Sequence, residues 1–280
     1  MAGSARMQRW SFASGSDGNC YLVESEGTAL LIECGRPAQQ IKDALASVGI
    51  QPRALDGILL THAHGDHSRS ARALAKELGI PIFASGGTLG ALGLDETYDA
   101  RAIRAGKPFG VGQFDVRPFA VPHDCHEPLG FRIESGTGRA CITTDLGWVP
   151  ASVARQFRDL DLLVLEANYD PYLLETGSYP AFLKRRVAGT YGHLSNAAAE
   201  AIATCGDRAP SAVWLAHLSE HNNSPKHALQ TVGNVLQQRG LGHVAVRTTQ
   251  HRRGKLHWTS TWSRERQLPL FGGLEPERVR

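Results

Sequence analysis

The stretch Thr61-His62-Ala63-His64-Gly65-Asp66-His67 limits what this chain can fold into more than any other. It sets three imidazoles and a carboxylate within six consecutive residues, directly after the apolar run Ile58-Leu59-Leu60. Packing gives no reason for such a cluster, whereas an apolar strand delivering it to a turn supports groups that would otherwise repel as cations. Imidazole and carboxylate donors suit Zn²⁺, Mn²⁺ or Fe, and the stretch holds no Cys to bias it toward softer metals. As alternate residues, His62 and His64 can point to one metal, while Asp66 and His67, around the turn, can reach a second. Reading the stretch as a polar loop with surface histidines leaves the coincidence of strand and spacing unexplained.

Composition sets the frame. The 280 residues are 42% hydrophobic and 20% charged, enough for one large folded domain or two small ones, and a net charge of +3 does not by itself demand a polyanionic partner. Five cysteines (Cys20, Cys34, Cys125, Cys141, Cys205) are scattered, odd in number and without Cys-x-x-Cys spacing. That argues against disulfides or a thiolate zinc knuckle and fits a reducing compartment. Met1 to Trp10 lacks the apolar core of a signal peptide and no run is long enough to span a bilayer, so a cytoplasmic protein without membrane partners is expected.

Taken in order, Trp10 and Phe12 alternate, Ser14 to Asn19 is a loop, and Cys20 to Val23 and Ala29 to Ile32 are strands. The small residues of the loop could form an anion-binding concavity, or simply a hairpin turn. Pro37 opens a helix that Gly49 stops, and Ser68 to Leu78 is a second helix ended by Gly79. Pro81 to Ala84, Phe114 to Val121, Leu129 to Glu134 and Ala140 to Thr144 are further strands, and two β/α halves packed sheet to sheet accommodate the whole series. Histidine recurs at strand ends. His123 follows Val121-Pro122, with His126 as a competing ligand and Asp124 better placed to orient a ligand than to bind metal. Asp145 ends the strand Ala140 to Thr144, and His217 ends Val213 to Ala216. Taken alone, Asp145 would read as a helix cap or turn residue, and His193 as a histidine near the cap of the helix 196–203. Lys184-Arg185-Arg186 reads as a solvated face, and His227, His243, His251 and His257 as surface residues.

The seven-residue string 61–67 resembles the hallmark of the metallo-β-lactamase superfamily. The resemblance implies an α/β fold, the four-layer αββα sandwich, with two metals at one edge of the paired sheets. It also favours His123 as the third ligand and gives Asp145 as a bridge. Three more strings, Ser14-Gly15-Ser16-Asp17-Gly18-Asn19, Gly192-His193-Leu194-Ser195-Asn196 and His217-Leu218-Ser219-Glu220-His221-Asn222-Asn223, resemble the YycJ/WalJ group, relatives of ribonuclease Z-type nucleases. The similarity runs over residues 10–250, and no β-CASP insertion fits between Asp145 and His193. Leu165-Glu166-Ala167-Asn168 sits where ribonuclease Z-like enzymes carry His-Glu-Ala-Thr, and Glu33 replaces the family's usual aspartate behind the site.

The resemblance implies a two-metal phosphodiesterase acting on nucleic acid, with a single-stranded DNA 5′-3′ exonuclease of repair or replication as the foremost reading. His62, His64 and His123 would hold one divalent ion (Zn²⁺ or Mn²⁺), Asp66, His67 and His217 the other, and such a pair activates water and clamps phosphate oxygens. Asp66, His193 and Glu166 form the catalytic set, with His193 as acid or transition-state stabiliser oriented by Glu166. Ser14, Ser16, Asn19, Ser195, Asn222 and Asn223 are the substrate-binding candidates. Beyond a catalytic domain spanning 1–261, the apolar period stops and 262–280 reads as a tail. Within it, Gln267-Leu268-Pro269-Leu270-Phe271 resembles the bacterial sliding-clamp-binding pentapeptide, whose partner contacts would be Gln267, Leu268, Leu270 and Phe271. Competing readings are a ribonuclease or small-molecule phosphodiesterase, a glyoxalase II-like thioesterase, and a non-catalytic clamp-associated protein.

Overall fold

Uninterrupted apolar runs such as Leu162-Leu163-Val164-Leu165 belong to strands covered on both faces, and strands of this kind form the middle of two sheets, each of seven strands among the described residues. The computed structural model describes residues 6–95, 98–249 and 256–260. The tail and the pentapeptide Gln267 to Phe271 lie outside the described residues. The first half runs β1 (Gln8–Ala13), β2 (Cys20–Ser25), β3 (Thr28–Ile32), α1 (Ala38–Ala46), β4 (Gly57–Leu59), α2 (Gly65–Ser68), α3 (Ala71–Leu78), β5 (Ile82–Ser85), α4 (Gly86–Leu92) and β6 (Ala100–Ile103). The second runs β7 (Phe109–Val111), β8 (Phe114–Ala120), β9 (Leu129–Ser135), β10 (Gly138–Thr143), α5 (Ala151–Ala154), β11 (Leu162–Glu166), α6 (Pro171–Thr176), α7 (Ala181–Val187), α8 (Ala198–Ala203), β12 (Ala212–Ala216), α9 (Pro225–Gln238) and β13 (Ala245–Thr248). A last strand, β14 (Leu256–Thr259), returns to pair antiparallel with β1.

The sheets have the orders β14-β1-β2-β3-β4-β5-β6 and β13-β12-β11-β10-β9-β8-β7. Each changes along its width from antiparallel to parallel pairing, at β3 in the first and at β10 in the second. Side-chain alternation divides the core into three layers. Leu162 and Val164 of β11 and Trp214 and Ala216 of β12 face the opposite sheet, while Leu163, Leu165, Val213 and Leu215 face the helices α8 and α9. On the other side Leu31, Ile58 and Ile82 pack against Ile41 and Leu45 of α1 and Leu74 of α3. The result is the expected four-layer αββα sandwich. Among the described residues no helix is long and apolar enough to cross a membrane.

A strap of backbone hydrogen bonds holds the histidine-rich turn to the first sheet. Asn19 donates through its backbone N–H to the Asp66 carbonyl at 2.7 Å, Cys34 donates to the His67 carbonyl at 2.6 Å, and Gly35 donates to the Asn19 carbonyl at 2.9 Å. Gly35 is the point of closest approach: a Cβ there would lie 1.7 Å from the Asp66 carbonyl oxygen, a backbone atom that cannot swing aside. Gly35→Ala is therefore expected to destabilise the protein by about 3 kcal/mol and to lower its metal content, as read by denaturant unfolding and by metal analysis of the purified variant. Wild-type values for both would show that the strap does not set the turn.

Candidate metal centre

Strands β4, β8, β10, β11 and β12 all end at one edge of the sandwich, and the candidate residues follow those ends in the way ligand sites follow the carboxyl ends of strands in open α/β sheets. After β4, His62 and His64 alternate on extended backbone. The chain then makes one turn of helix, α2, whose first two bonds run from the N–H groups of His67 and Ser68 to the His64 carbonyl, both at 3.0 Å. Beyond that turn Asp66 and His67 group with His217, while His67 also stays beside His62, their ring centroids 4.1 Å apart. Three groups at the edge have left-handed backbone without being glycine: Glu33 (φ 65°), Asp145 (φ 56°) and His217 (φ 54°). Such conformations persist only where surrounding contacts enforce them and gather at functional sites.

The side chains converge. Donor atoms of His62, His64 and His123 lie within 4.8 Å of one another, as do those of Asp66, His67 and His217, those of His62, His67 and Asp145, and those of Asp145, Glu166, His193 and His217. Asp145 is central: its Oδ2 is 2.8 Å from His67 Nε2, and its Oδ1 is 3.0 Å from His217 Nδ1 and 3.2 Å from His193 Nδ1. Asp66 Oδ2 lies 3.3 Å from His67 Nε2 and 3.4 Å from His217 Nε2. His126, the competitor of His123, is exposed and packs beside Gly87, away from this cluster.

Behind the donors stands a second set of groups that decides which nitrogen of each ring is free. His123 Nδ1 donates to the Gly192 carbonyl at 3.1 Å, which puts the ring proton on that side and leaves Nε2 as a lone-pair donor, 3.3 Å from His64 Nδ1. Glu33 accepts from the Thr61 backbone N–H at 3.0 Å and its other oxygen is 3.5 Å from His67 Nδ1. Asp124, expected to orient a ligand, lies 3.4 Å from His123 Nε2, on the donor side of that ring, and is gripped by Arg186 at 2.8 Å. Glu166 is completely buried yet fully engaged. Its Oε1 accepts from His193 Nδ1 at 2.8 Å and from His217 Nδ1 at 2.9 Å, and its Oε2 accepts from the backbone N–H groups of Leu146 at 2.9 Å and Leu194 at 3.1 Å.

The protein alone leaves this cluster unfinished. His62 Nε2, His217 Nε2 and Asp145 Oδ2 are buried without a hydrogen bond among the described residues, Asp145 Oδ2 being near His67 but out of line for one. Each such orphan costs on the order of 1–3 kcal/mol. Burial, with help from the neighbouring His67, pushes His62 well below the ordinary imidazole range, so its lone pair is available. Burial opposes charge on His67 and His217 as well, but the Asp145 carboxylate beside both overcomes it and draws protons onto them. Divalent cations are the groups that satisfy neutral imidazoles and carboxylates at once, so the donor set fits them. Cys125, although it shares a loop with His123, belongs to none of the donor groups, and burial and Asp124 push its thiol up to about 12. His193 differs from the other rings: Nδ1 is held by Glu166, the ring lines the cavity of about 150 Å³ above the cluster, and Glu166 and Asp145 outweigh burial to raise its pKa to about 9.

The substrate-binding candidates divide sharply. Ser16 is exposed and lines the cavity, and Ser195 is half-buried, its hydroxyl accepting from the Ala197 N–H. Ser14, Asn19, Asn222 and Asn223 are interior, so a substrate cannot reach them without unpacking the site. Ser14 accepts from the His217 backbone N–H at 2.8 Å and from Tyr21 at 2.9 Å, which makes it a peg under that ligand loop. Asn19 braces the Asp66 carbonyl at 3.3 Å and lies 3.0 Å from His67 Nε2. Asn223 donates to the Ala167 carbonyl at 2.8 Å and to Asn196 at 2.9 Å, tying the loop after β12 to the loop after β11, and Asn222 is buried beside Gly177. Small polar residues in loops look alike in sequence whether they face solvent or seal a loop from within. Asn168 was missed for the same reason: its side chain donates to the His217 carbonyl at 2.8 Å, and the available signal was a polar residue closing an otherwise apolar strand.

Comparison with known proteins agrees with this geometry. The model for the metallo-beta-lactamase superfamily matches residues 13–179. The chain is 35% identical over 238 residues to exodeoxyribonuclease WalJ of Streptococcus pneumoniae serotype 2, covering 82% of this chain and 88% of that protein. It is 30% identical over 235 residues to exodeoxyribonuclease YycJ of Bacillus anthracis, covering 82% of this chain and 89% of the relative. In fold it is similar to the metallo-beta-lactamase fold protein YhfI from Bacillus subtilis, with a TM-score of 0.71 at 18% identity, covering 91% of this chain and all of that one. With two sheets flanked by helices, a histidine and aspartate cluster at their common edge and relatives matched over most of their length, this chain belongs to the metallo-beta-lactamase superfamily and, within it, to the family of WalJ and YycJ.

Proposed function

We propose that the protein is a metal-dependent exonuclease that hydrolyses phosphodiester bonds of single-stranded DNA in the 5′-to-3′ direction. The observation that carries the reading is the placement of His193: held by buried Glu166, 3.2 Å from Asp145, at the wall of a cavity above two donor groups free of thiolate. The names of the relatives, exodeoxyribonucleases matched over most of their length, select DNA among phosphodiester substrates. The direction of digestion rests on the family resemblance alone.

His62, His64 and His123 would hold one cation and Asp66, His67 and His217 the other, with Asp145 between them, and Zn²⁺ and Mn²⁺ both accept these donors. Cations held there supply an activated water and neutralise charge on the phosphodiester. The chain's own groups do the rest. Glu166 fixes the His193 ring through Nδ1, so Nε2 is the atom left to meet a substrate. With Nδ1 on Glu166, His193 is placed to deliver a proton from Nε2 to the departing oxygen, a contribution typically on the order of 10²–10⁴-fold. Asp66, Asp145 and His67 are locked by one another and by the strap, so the donors keep their positions while substrate turns over.

We further propose that Gln267-Leu268-Pro269-Leu270-Phe271 docks the enzyme on a sliding clamp, with the Gln267 amide on the rim of an apolar cleft and Leu268, Leu270 and Phe271 inside it. That would deliver the active site to replicating or repaired DNA.

Three outcomes check these readings. Purified protein supplied with Mn²⁺ or Zn²⁺ is expected to shorten labelled single-stranded DNA in preference to RNA of equal length; preference for RNA, or turnover of a glutathione thioester with inert DNA, would reject the DNA reading. Asp145→Ala should abolish activity and lower bound metal, whereas His193→Ala should lose about 10²-fold or more in rate with metal content retained, and an undiminished rate in the second variant removes His193 from the catalytic set. Truncation after Ser263 should leave the digestion of short oligonucleotides unchanged and abolish clamp binding measured by surface plasmon resonance. Clamp binding that survives the truncation would dispose of the pentapeptide.

A further inference from the structure

Four large apolar side chains stand out in solvent among the described residues: Trp148 (50% exposed), Tyr172 (72%), Phe182 (68%) and Tyr191 (62%). Single exposed aromatics are ordinary, but three of these gather around one opening. Trp148 is three residues beyond Asp145, and Tyr191 is two residues before His193. Phe182 adjoins Leu183, which lines the cavity together with Arg186 and Val187 on the same helix, α7. The segments bearing Trp148 and Tyr191 are in contact, since a Cβ at Gly147 would lie 2.3 Å from the Thr190 carbonyl oxygen. Phe182 and Arg186, four apart on α7, share a helix face, and Arg186 is anchored to Asp124 beside the metal ligands.

Charge completes the pattern. The basic run Lys184-Arg185-Arg186 lies in the last turn of α7, and Lys184 and Arg185 line an adjoining recess of about 310 Å³. Cationic side chains interleaved with exposed rings, beside a phosphodiester-sized cavity, suit a chain of phosphates whose bases are free to stack. A duplex offers no such faces, because its bases are already stacked. Within the run that reads in the sequence as a solvated face, Arg186 lines the cavity itself, while Lys184 and Arg185 of the same helix line the second recess.

We infer that Trp148, Phe182 and Tyr191 form a base-stacking rim that grips the single strand entering the site, with Lys184 and Arg185 following its backbone. This rests on the nuclease reading above and adds which residues hold the strand. Stacking tolerates any base, so the rim gives strand affinity without sequence preference.

The test uses the full chain, a fluorescent twelve-nucleotide oligo(dT) and an abasic strand of the same length, with binding read by anisotropy. Trp148→Ala, Phe182→Ala and Tyr191→Ala should each weaken binding of oligo(dT) by about fivefold or more, the equivalent of ~1 kcal/mol at the low end for one stacked base. The abasic strand should be bound equally by variants and wild type. Trp148→Phe, Phe182→Tyr and Tyr191→Phe should retain the wild-type affinity, which separates loss of a stacking ring from loss of folding. Alanine variants that bind oligo(dT) like the wild type, or lose as much on the abasic strand, would overturn the rim. If the wild type fails to degrade any DNA strand the nuclease reading fails first, whereas degradation with unaltered affinity in the variants removes the rim alone.

Discussion

A single buried carboxylate ties this site together. Glu166 has no exposure to solvent, and its charge is tolerable because four donors surround it: the rings of His193 and His217 and the backbone amides of Leu146 and Leu194. Those four come from three different segments. Leu146 follows β10, Leu194 precedes α8, and His217 follows β12, so one side chain at the end of β11 registers the loops on either side of it. Through them it sets the orientation of the His217 and His193 rings together.

The same economy governs the opposite sheet. Glu33, at the end of β3, takes the Thr61 amide and faces His67, while Asn19 clasps the Asp66 carbonyl and Cys34 the His67 carbonyl. Glu33 and Asp145 occupy matching places, each following the strand at which its sheet switches from antiparallel to parallel, and each adopts left-handed backbone. Parallel strands leaving a switch point diverge into loops on the same edge, so each half of the sandwich supplies one part of the donor set. Neither half could hold two cations alone.

Electrostatics then makes the centre dependent on what it binds. Six imidazoles and three carboxylates share a small, mostly buried volume, and burial by itself disfavours charge there. The carboxylates stay ionised only by drawing protons onto His67 and His217. Divalent cations replace those protons with a charge of the same sign, and metal uptake therefore releases protons and weakens as pH falls.

Much of this was legible in the chain itself. The 61–67 string announced a metal site because strand-borne histidines at alternating positions have no packing function; strand-end placement pointed to His217, and the family resemblance picked His123 over His126 and Asp145 from among turn residues. Runs such as Leu162 to Leu165 showed buried strands, since only a strand covered on both faces is apolar at every position. Some elements carried weaker signals. β6 has only one buried residue and β14 pairs with β1 across nearly the whole chain, and α9, which the strand-end reading passes over, carries its signal in Ser224, Pro225 and the spacing of Ala228, Val232 and Leu236. The tertiary structure alone decided the parts played by polar residues: Ser14, Asn19 and Asn223 look like substrate contacts in sequence but seal loops from within, and of the basic run Lys184-Arg185-Arg186 it is Arg186 that lines the cavity. A sequence states which chemical groups are available and in what local period. Which of them face inward is set by contacts between segments far apart along the chain, and those exist only once the two sheets have closed on each other.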